Sequence, residues 1–396
     1  MTTSATDKVY YDPWDADLNA NPYPMFKRFR DEVPLYYNET HDFYAVSRFE
    51  DVERALRDRL VFSSEEGVIL EMIKSDFEMP PGTLIHEQPP SHTIHRQLLS
   101  RVFTPKAMAA IEPQVREFCA NRLDELAGQT SFDVIAEFAQ FVPMRVFGML
   151  LGISEEQQLV VMEHVEERMD SGDAGPRDAD WEDPSFYLPL LEAAERDPGD
   201  DVTSRLVTTE FDDVDGVRRR LSQAEALTYL GVVAAAGNHT TNRLISWTAK
   251  VLSDNPDARR ELAADASLIP NAIEETLRYE PSSTYIGRYV TEDVELHGQT
   301  VPAGSAMLCL VGSANRDDRV FDEPDRYDIH RTIGHHLTFG YGPHFCLGAS
   351  LARLEGRVAL EELLKRFPDW QVDLSKSAFG TSTGVRGWAS LHLDVD

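Results

Sequence analysis

The chain has 396 residues, 42% of them apolar, and a formal net charge of −30. Such a polyanion is repelled by nucleic acid and by anionic membrane surfaces, so neither is expected as a partner. The longest apolar run, Leu230 to Ala236, is far too short to cross a bilayer, and Met1 to Asp17 has neither the basic start nor the apolar stretch of a signal peptide.

Taken in chain order, Val33 to Phe49 alternates strand-like residues about a turn at residues 38–42, which predicts a hairpin, and Phe49 to Arg59 reads as a helix. Glu66 to Pro90 is irregular yet apolar, carrying Val68, Ile69, Leu70, Met72, Ile73, Phe77 and Met79. A loop of this kind must cover something or be covered, and it is a candidate lid. Ser91 to about Leu151 has helical periodicity, broken at Thr104-Pro105, with a helix-start signal at Ser131-Phe132-Asp133. Residues 155–215 hold twenty acids against four arginines, which reads as a solvated helical surface with loops at Asp170 to Asp183 and Asp197 to Asp201.

Ser222 to about Asp254 is the longest predicted helix. Ser222 followed by Glu225 forms a capping box, and Asn255-Pro256 ends the run. At 1.5 Å per residue it spans roughly 48 Å, enough to cross a whole domain. The small residues from Gly231 to Gly237 let another group approach closely. Further elements are a helix from Ile269 to Tyr279, short strands between Tyr285 and Leu310, an irregular stretch from Ser313 to Leu337, a final helix starting at Cys346 and running to about Phe367, and a closing strand pair. The expected architecture is mainly α with a small β component. Residues 1–396 read as one domain, because no stretch rich in Pro, Gly or Ser divides them.

The three cysteines, Cys119, Cys309 and Cys346, are odd in number and widely spaced. They suggest no disulfide framework and fit a reducing cytoplasm. Cys346 stands in Phe339-Gly340-Tyr341-Gly342-Pro343-His344-Phe345-Cys346-Leu347-Gly348. Glycines 340, 342 and 348 allow tight bending and close approach to a flat ligand, and a helix starting at the cysteine would aim its N–H groups at the sulfur and favour thiolate. A zinc site built from His335, His336, His344 and Cys346 is the alternative, but no second Cys-x-x-Cys pair supports it.

This segment resembles the haem-ligand signature of the cytochrome P-450 superfamily, Phe-Gly-x-Gly-x-His-x-Cys-x-Gly, at every defined position. The resemblance extends over nearly the whole chain. It implies the family's fold with a long central helix over the haem, haem b as cofactor, and Cys346 as the proximal iron ligand. Phe339, Gly340 and Gly348 fall in the same cofactor-binding loop. His92 and Arg96, four apart on a helix, match a family pair that binds haem propionates, and Arg288 and His344 match two more such positions. Glu275-Thr276-Leu277-Arg278 is similar to the family's Glu-x-x-Arg element, and Pro324-Asp325-Arg326-Tyr327 to the loop that completes it, with Arg326 at the matching position.

Ala236-Gly237-Asn238-His239-Thr240-Thr241 resembles the family's oxygen-binding groove. Gly237 weakens the helix there, and Thr240 can turn its hydroxyl onto the Ala236 carbonyl. Ala236, Gly237, His239 and Thr240 are thus the distal candidates. The customary acid is replaced by His239, which leaves the proton route open, since histidine also relays protons near neutral pH.

The resemblance implies a monooxygenase that inserts one oxygen atom from dioxygen into an apolar small molecule. It implies a monomer, with electrons from a separate ferredoxin and ferredoxin reductase. Arg101, Lys106, Arg353, Arg357 and Lys365 form a candidate docking patch. The implied pocket is lined by the 66–90 loop, residues 160–190, Ala235, Ala236, Ser283 to Gly287 and Gly380 to Val385, with Ser283 and Tyr285 as candidate polar contacts and Tyr285 equally readable as a packing residue. A peroxide-driven enzyme and a non-catalytic haem sensor are the competing readings. Thr240 counts against both, and His239 favours the first.

Overall fold

The helix Gln223–Asp254 runs through the molecule and organises it. Its start is fixed locally: the Ser222 side chain accepts the Glu225 N–H at 3.2 Å, and the Glu225 carboxylate accepts the Ser222 N–H at 2.7 Å. This reciprocal cap satisfies two N–H groups that a helix start otherwise leaves unpaired. Asn255, ahead of Pro256, ends the helix as expected. The computed structural model describes residues 8–75, 80, 82–100, 102–154, 156–158, 160, 184–380 and 384–395.

Two apolar layers pack on this helix. Its first half buries Ala226, Tyr229, Leu230 and Ala234 against Leu99, Phe103, Leu150 and Leu206. Its second half buries Leu244, Ile245, Trp247 and Leu252 against the helices Ile269–Tyr279 and Ala349–Arg366. Gly356 permits that contact: a Cβ there would lie 3.0 Å from a Leu244 methyl. The N-terminal side carries a five-stranded sheet in the order Leu35–Asn38, Phe43–Val46, Ala306–Cys309, Ile286–Val290, Phe62–Ser63. The predicted hairpin is its antiparallel edge pair, and Phe43–Val46 runs parallel to Ala306–Cys309. The architecture is mainly α with a small β component, as expected. No helix among the described residues is long and apolar enough to cross a membrane.

Several expectations are corrected. Ser131–Asp133 is a strand, paired with His392–Val395, which also pairs with Trp370–Val372, and the expected helix start follows it directly: the Asp133 carboxylate accepts the Ile135 N–H at 2.9 Å at the head of the helical stretch Ile135–Ala139. The helix from Phe141 to Leu151 begins after it. The final helix begins at Ala349, three residues after Cys346, with Gly348 at its N-cap. The apolar 66–90 loop is itself covered in part: the Gly287 N–H donates to the Val68 carbonyl at 2.7 Å, and Leu70 is buried. Phe77, Met79, Arg101 and the acidic stretch 161–183, with its predicted loop and pocket wall, lie outside the described residues.

The ion-pair network is the largest correction. Glu275 and Arg278 are fully buried and doubly bonded, at 2.7 Å for each nitrogen–oxygen contact. The third member is Arg331, whose Nε donates to Glu275 Oε1 at 3.1 Å. Arg326, which the motif match nominated, is 59% exposed and pairs with Glu323 and Asp328 at the surface. The loop closes one turn later than the motif suggests. A buried carboxylate shared by two guanidinium groups is costly to disrupt, whereas an exposed pair contributes little. Arg331→Ala is therefore expected to lower unfolding stability by about 3–5 kcal/mol, and Arg326→Ala by about 1 kcal/mol or less. Urea unfolding of the two variants measures the difference, and equal losses would return the role to Arg326.

Candidate functional site

The loop that carries Cys346 is built by backbone geometry. Gly340 and Gly342 have φ of +70° and +76°, a region that other residues avoid. At Gly342 a Cβ would also approach Arg57 Cα to 3.1 Å. The turn brings the Cys346 N–H to the Phe339 carbonyl at 2.8 Å. Phe339 is buried beneath Arg353, whose guanidinium lies 4.6 Å from the ring centre. Cys346 itself is open at the surface of the loop, while Cys119 and Cys309 are buried. Protein still surrounds its thiol closely, and burial pushes the pKa up. The Gly348 N–H and the charges of Arg96 and Arg353 pull the other way. Because the helix starts later than expected, the sulfur receives one loop N–H rather than a helix's first turn.

The four predicted propionate binders converge beside this loop from three separate stretches of chain. The rings of His92 and His344 lie 4.3 Å apart, and Arg96 donates to the Phe345 carbonyl at 2.5 Å. Arg288 is 4% exposed, and its one hydrogen bond among the described residues goes to the Gly287 carbonyl. Burial, then the neighbouring cations, lowers His344 to about 3; burial and then Arg96 lower His92 to about 4. The charged neighbours of His344 are Arg288 and Arg96, and the nearby His92 and His86 are themselves lowered to about 4 by burial. With both histidines neutral, the positive charge rests on buried Arg288 and half-buried Arg96, neither of which has an ion pair among the described residues, and such a pair is poised for an anion. A dicarboxylate group fits this donor set.

On the central helix, Ala236 is exposed although the residues on either side of this stretch are largely buried. A Cβ at Gly237 would meet nothing within 4 Å. The helix continues unbroken through this stretch, so the glycine clears space without kinking it. Thr240 Oγ1 donates to the Ala236 carbonyl at 2.8 Å, as predicted. Ser282 Oγ donates to the Thr240 carbonyl at 2.8 Å and pins the groove from the next segment. Burial, then Arg243, lowers His239 to about 4, so its ring is neutral at physiological pH.

The remaining expectations divide. Arg353 pairs with Glu274 at 2.5 Å, Arg357 with Glu112 at 2.6 Å, and Lys365 with Glu362 at 2.6 Å. The candidate docking patch is therefore largely neutralised; Lys106 is its member with no ion pair among the described residues. Of the two readings of Tyr285 the packing one holds: it lies in the core with Tyr11, Phe26 and Leu70. For zinc, His335 and His336 are turned to Glu53 and Glu274, and no metal-binding group of three occurs among the described residues.

Sequence reasoning passed over Ser282, Arg243 and Glu355. Burial holds the Glu355 carboxyl protonated, and its Oε2 has no partner. Only Arg243 left a readable signal, since Ala236, Thr240 and Arg243 follow a helical i, i+4, i+7 spacing.

Comparison with known proteins agrees with this arrangement. The family model described as cytochrome P450 matches residues 190–377. Putative cytochrome P450 123 of Mycobacterium tuberculosis is 39% identical, covering 100% of this chain and 99% of the relative. Cytochrome P450 130 of the same organism is 35% identical, covering 96% of each. Among solved structures, cytochrome P450 CYP109Q5 from Chondromyces apiculatus superposes with a TM-score of 0.85 at 34% identity, covering 97% of this chain and 98% of that one. CYP109E1 from Bacillus megaterium, solved with testosterone, gives 0.86 at 29% identity, covering 96% and 99%. With a relative this similar from end to end, and a cysteine loop set beside a buried cationic cluster, the chain belongs to the cytochrome P450 family of haem monooxygenases.

Proposed function

We propose that Cys346 ligates haem iron as thiolate in a single haem domain spanning residues 1–396, and that the enzyme inserts one oxygen atom from dioxygen into an apolar small molecule. The observation that carries this reading is the gathering of His92, Arg96, Arg288 and His344 beside one open cysteine. These residues suit the two propionates of haem b, and Phe339, Gly340 and Gly348 shape the loop against its face. Bound there, haem supplies the splitting of dioxygen, which a thiolate ligand favours by donating electron density.

The chain's own residues do the rest. Thr240 holds a proton at Oγ1, tethered to the Ala236 carbonyl, in a groove that Gly237 leaves open. Its hydroxyl can turn to donate that proton into the groove and be resupplied from a neighbour. His239 is uncharged, so its ring passes a proton only by accepting at one nitrogen and releasing at the other. Ala235 and Ala236 leave room for substrate above the groove. Electrons reach the site from a separate ferredoxin and its reductase in the cytoplasm.

A peroxide-driven enzyme is the second reading, favoured by the absence of an acid at His239. Turnover with hydrogen peroxide equal to turnover with ferredoxin would support it; the expected result is a much slower peroxide reaction. For the haem assignment, Cys346→Ser is expected to lose the thiolate-type ferrous carbon monoxide spectrum while keeping its far-ultraviolet dichroism. A variant spectrum identical to wild type would sink the assignment. A third outcome concerns pH. Because burial keeps His239 deprotonated down to about pH 4, wild type and His239→Gln should share the same shape of rate profile between pH 6 and 8. An inflection in that window present only in wild type would mean that His239 titrates there.

A further inference from the structure

Arg243 is a buried cation with no acid paired to it among the described residues. The residue is 9% exposed, its Nε has no partner, and no hydrogen bond or ion pair to its guanidinium occurs among the described residues. Desolvation alone lowers its pKa, to about 10, so it remains charged at neutral pH. Among the other buried arginines, Arg278 is matched by Glu275, and Arg316 and Arg386 by Glu280, whereas Arg30 hydrogen-bonds Ser313 and Arg288 faces the proposed propionates. A buried guanidinium without a counter-ion is costly and marks a place where an anion belongs.

Its position says which anion. Arg243 lies on the same helix face as Ala236 and Thr240, and three residues of helix carry it about 4.5 Å along the axis from Thr240. It is therefore beside the distal groove, where its charge acts on His239, and not within the propionate cluster. The strands Ala378–Gly380 and Gly387–Ser390 form a hairpin against it. Glycines make the fit: a Cβ on Gly380 would lie 3.2 Å from Arg243 Nη2, and one on Gly387 would lie 2.4 Å from its Cδ. The helix offers no acid in return, because the positions one turn away are the neutral His239, Thr240, Ser246 and Trp247.

We propose that Arg243 is a specificity residue that binds a carboxylate on the substrate, so that this enzyme oxidises apolar carboxylic acids. The inference rests on the monooxygenase reading and names its substrate class. A single planar guanidinium matches the two oxygens of one carboxylate, whereas a phosphate dianion would call for further cations. Anchored there, an acid would lie along the Ala236 and Thr240 face, with its apolar body toward the groove.

The test is a calorimetric titration of the haem-loaded protein with matched probes: dodecanoic acid against its methyl ester, and 4-cyclohexylbenzoic acid against its amide. Wild type should bind at least one acid about tenfold more tightly than its neutral partner, the effect of one charge-assisted pairing. Arg243→Leu should erase that preference while leaving the neutral probe's affinity unchanged, and Arg243→Lys should restore part of it. His239→Asp should also weaken acid binding, by giving Arg243 a partner one turn away. The proposal is overturned if no acid binds better than its neutral partner, or if Arg243→Leu weakens both alike. The ferrous carbon monoxide spectrum of each variant is read in parallel. A thiolate-type spectrum with no acid preference would sink this inference alone, and an absent one would sink the haem reading beneath it.

Discussion

Everything near the cysteine hangs from one buried carboxylate. Glu275 binds both Arg278 and Arg331, and its Oε1 also accepts the Asp328 N–H at 2.9 Å. Arg278 extends the network to the carbonyls of Asn315 and Pro324. Asn315 in turn accepts the Leu337 N–H, the Gly340 N–H donates to Leu337, and the Cys346 N–H donates to Phe339. The irregular stretch that leads to the cysteine thus has no regular structure of its own, yet it is tied at successive points to a helix that cannot shift without exposing charge. Full pairing is what makes this burial tolerable, and it is also what makes the loop rigid.

The elements readable in advance were those with local causes. The capping box at Ser222, the stop at Pro256 and the turn at residues 38–42 each act within a few residues, so sequence alone placed the central helix and the hairpin. The cysteine loop was readable for the same reason, since its glycines set the backbone directly. At Ser131–Asp133 the cap made by Asp133 was readable but the strand was not, because a strand is defined by its partner, and that partner lies at the other end of the chain. Arg331 was missed because which arginine of a long loop reaches Glu275 depends on how the loop closes, not on spacing. The start of the last helix slipped because Gly348 occupies its cap with an ordinary negative φ, −83°, which a sequence does not announce.

Charge divides the molecule into an acidic exterior and a cationic interior. The net charge is −30, yet the groups gathered around the cysteine are His92, Arg96, Arg288 and His344, and Arg243 stands farther along the groove. The histidines are held neutral by burial and by the arginines beside them, so the arginines carry the positive potential alone. An exterior of this sign disfavours anions at a distance, while the interior favours them once desolvated. Selection for an anionic ligand would therefore fall on contact and not on long-range steering.

Gly387 links two parts of the molecule that are separate in sequence. Its missing side chain is the space that Arg243 fills, so the hairpin's path and the guanidinium's position form a single fitted unit. A variant library that changes Gly387 would move the charge as well as the pocket wall, and shape and polarity would change together. One that holds Gly387 and Gly380 fixed and varies the neighbouring hairpin positions would remodel the cavity with its electrostatics left in place. In this enzyme the two glycines mark which part of the pocket wall is open to redesign.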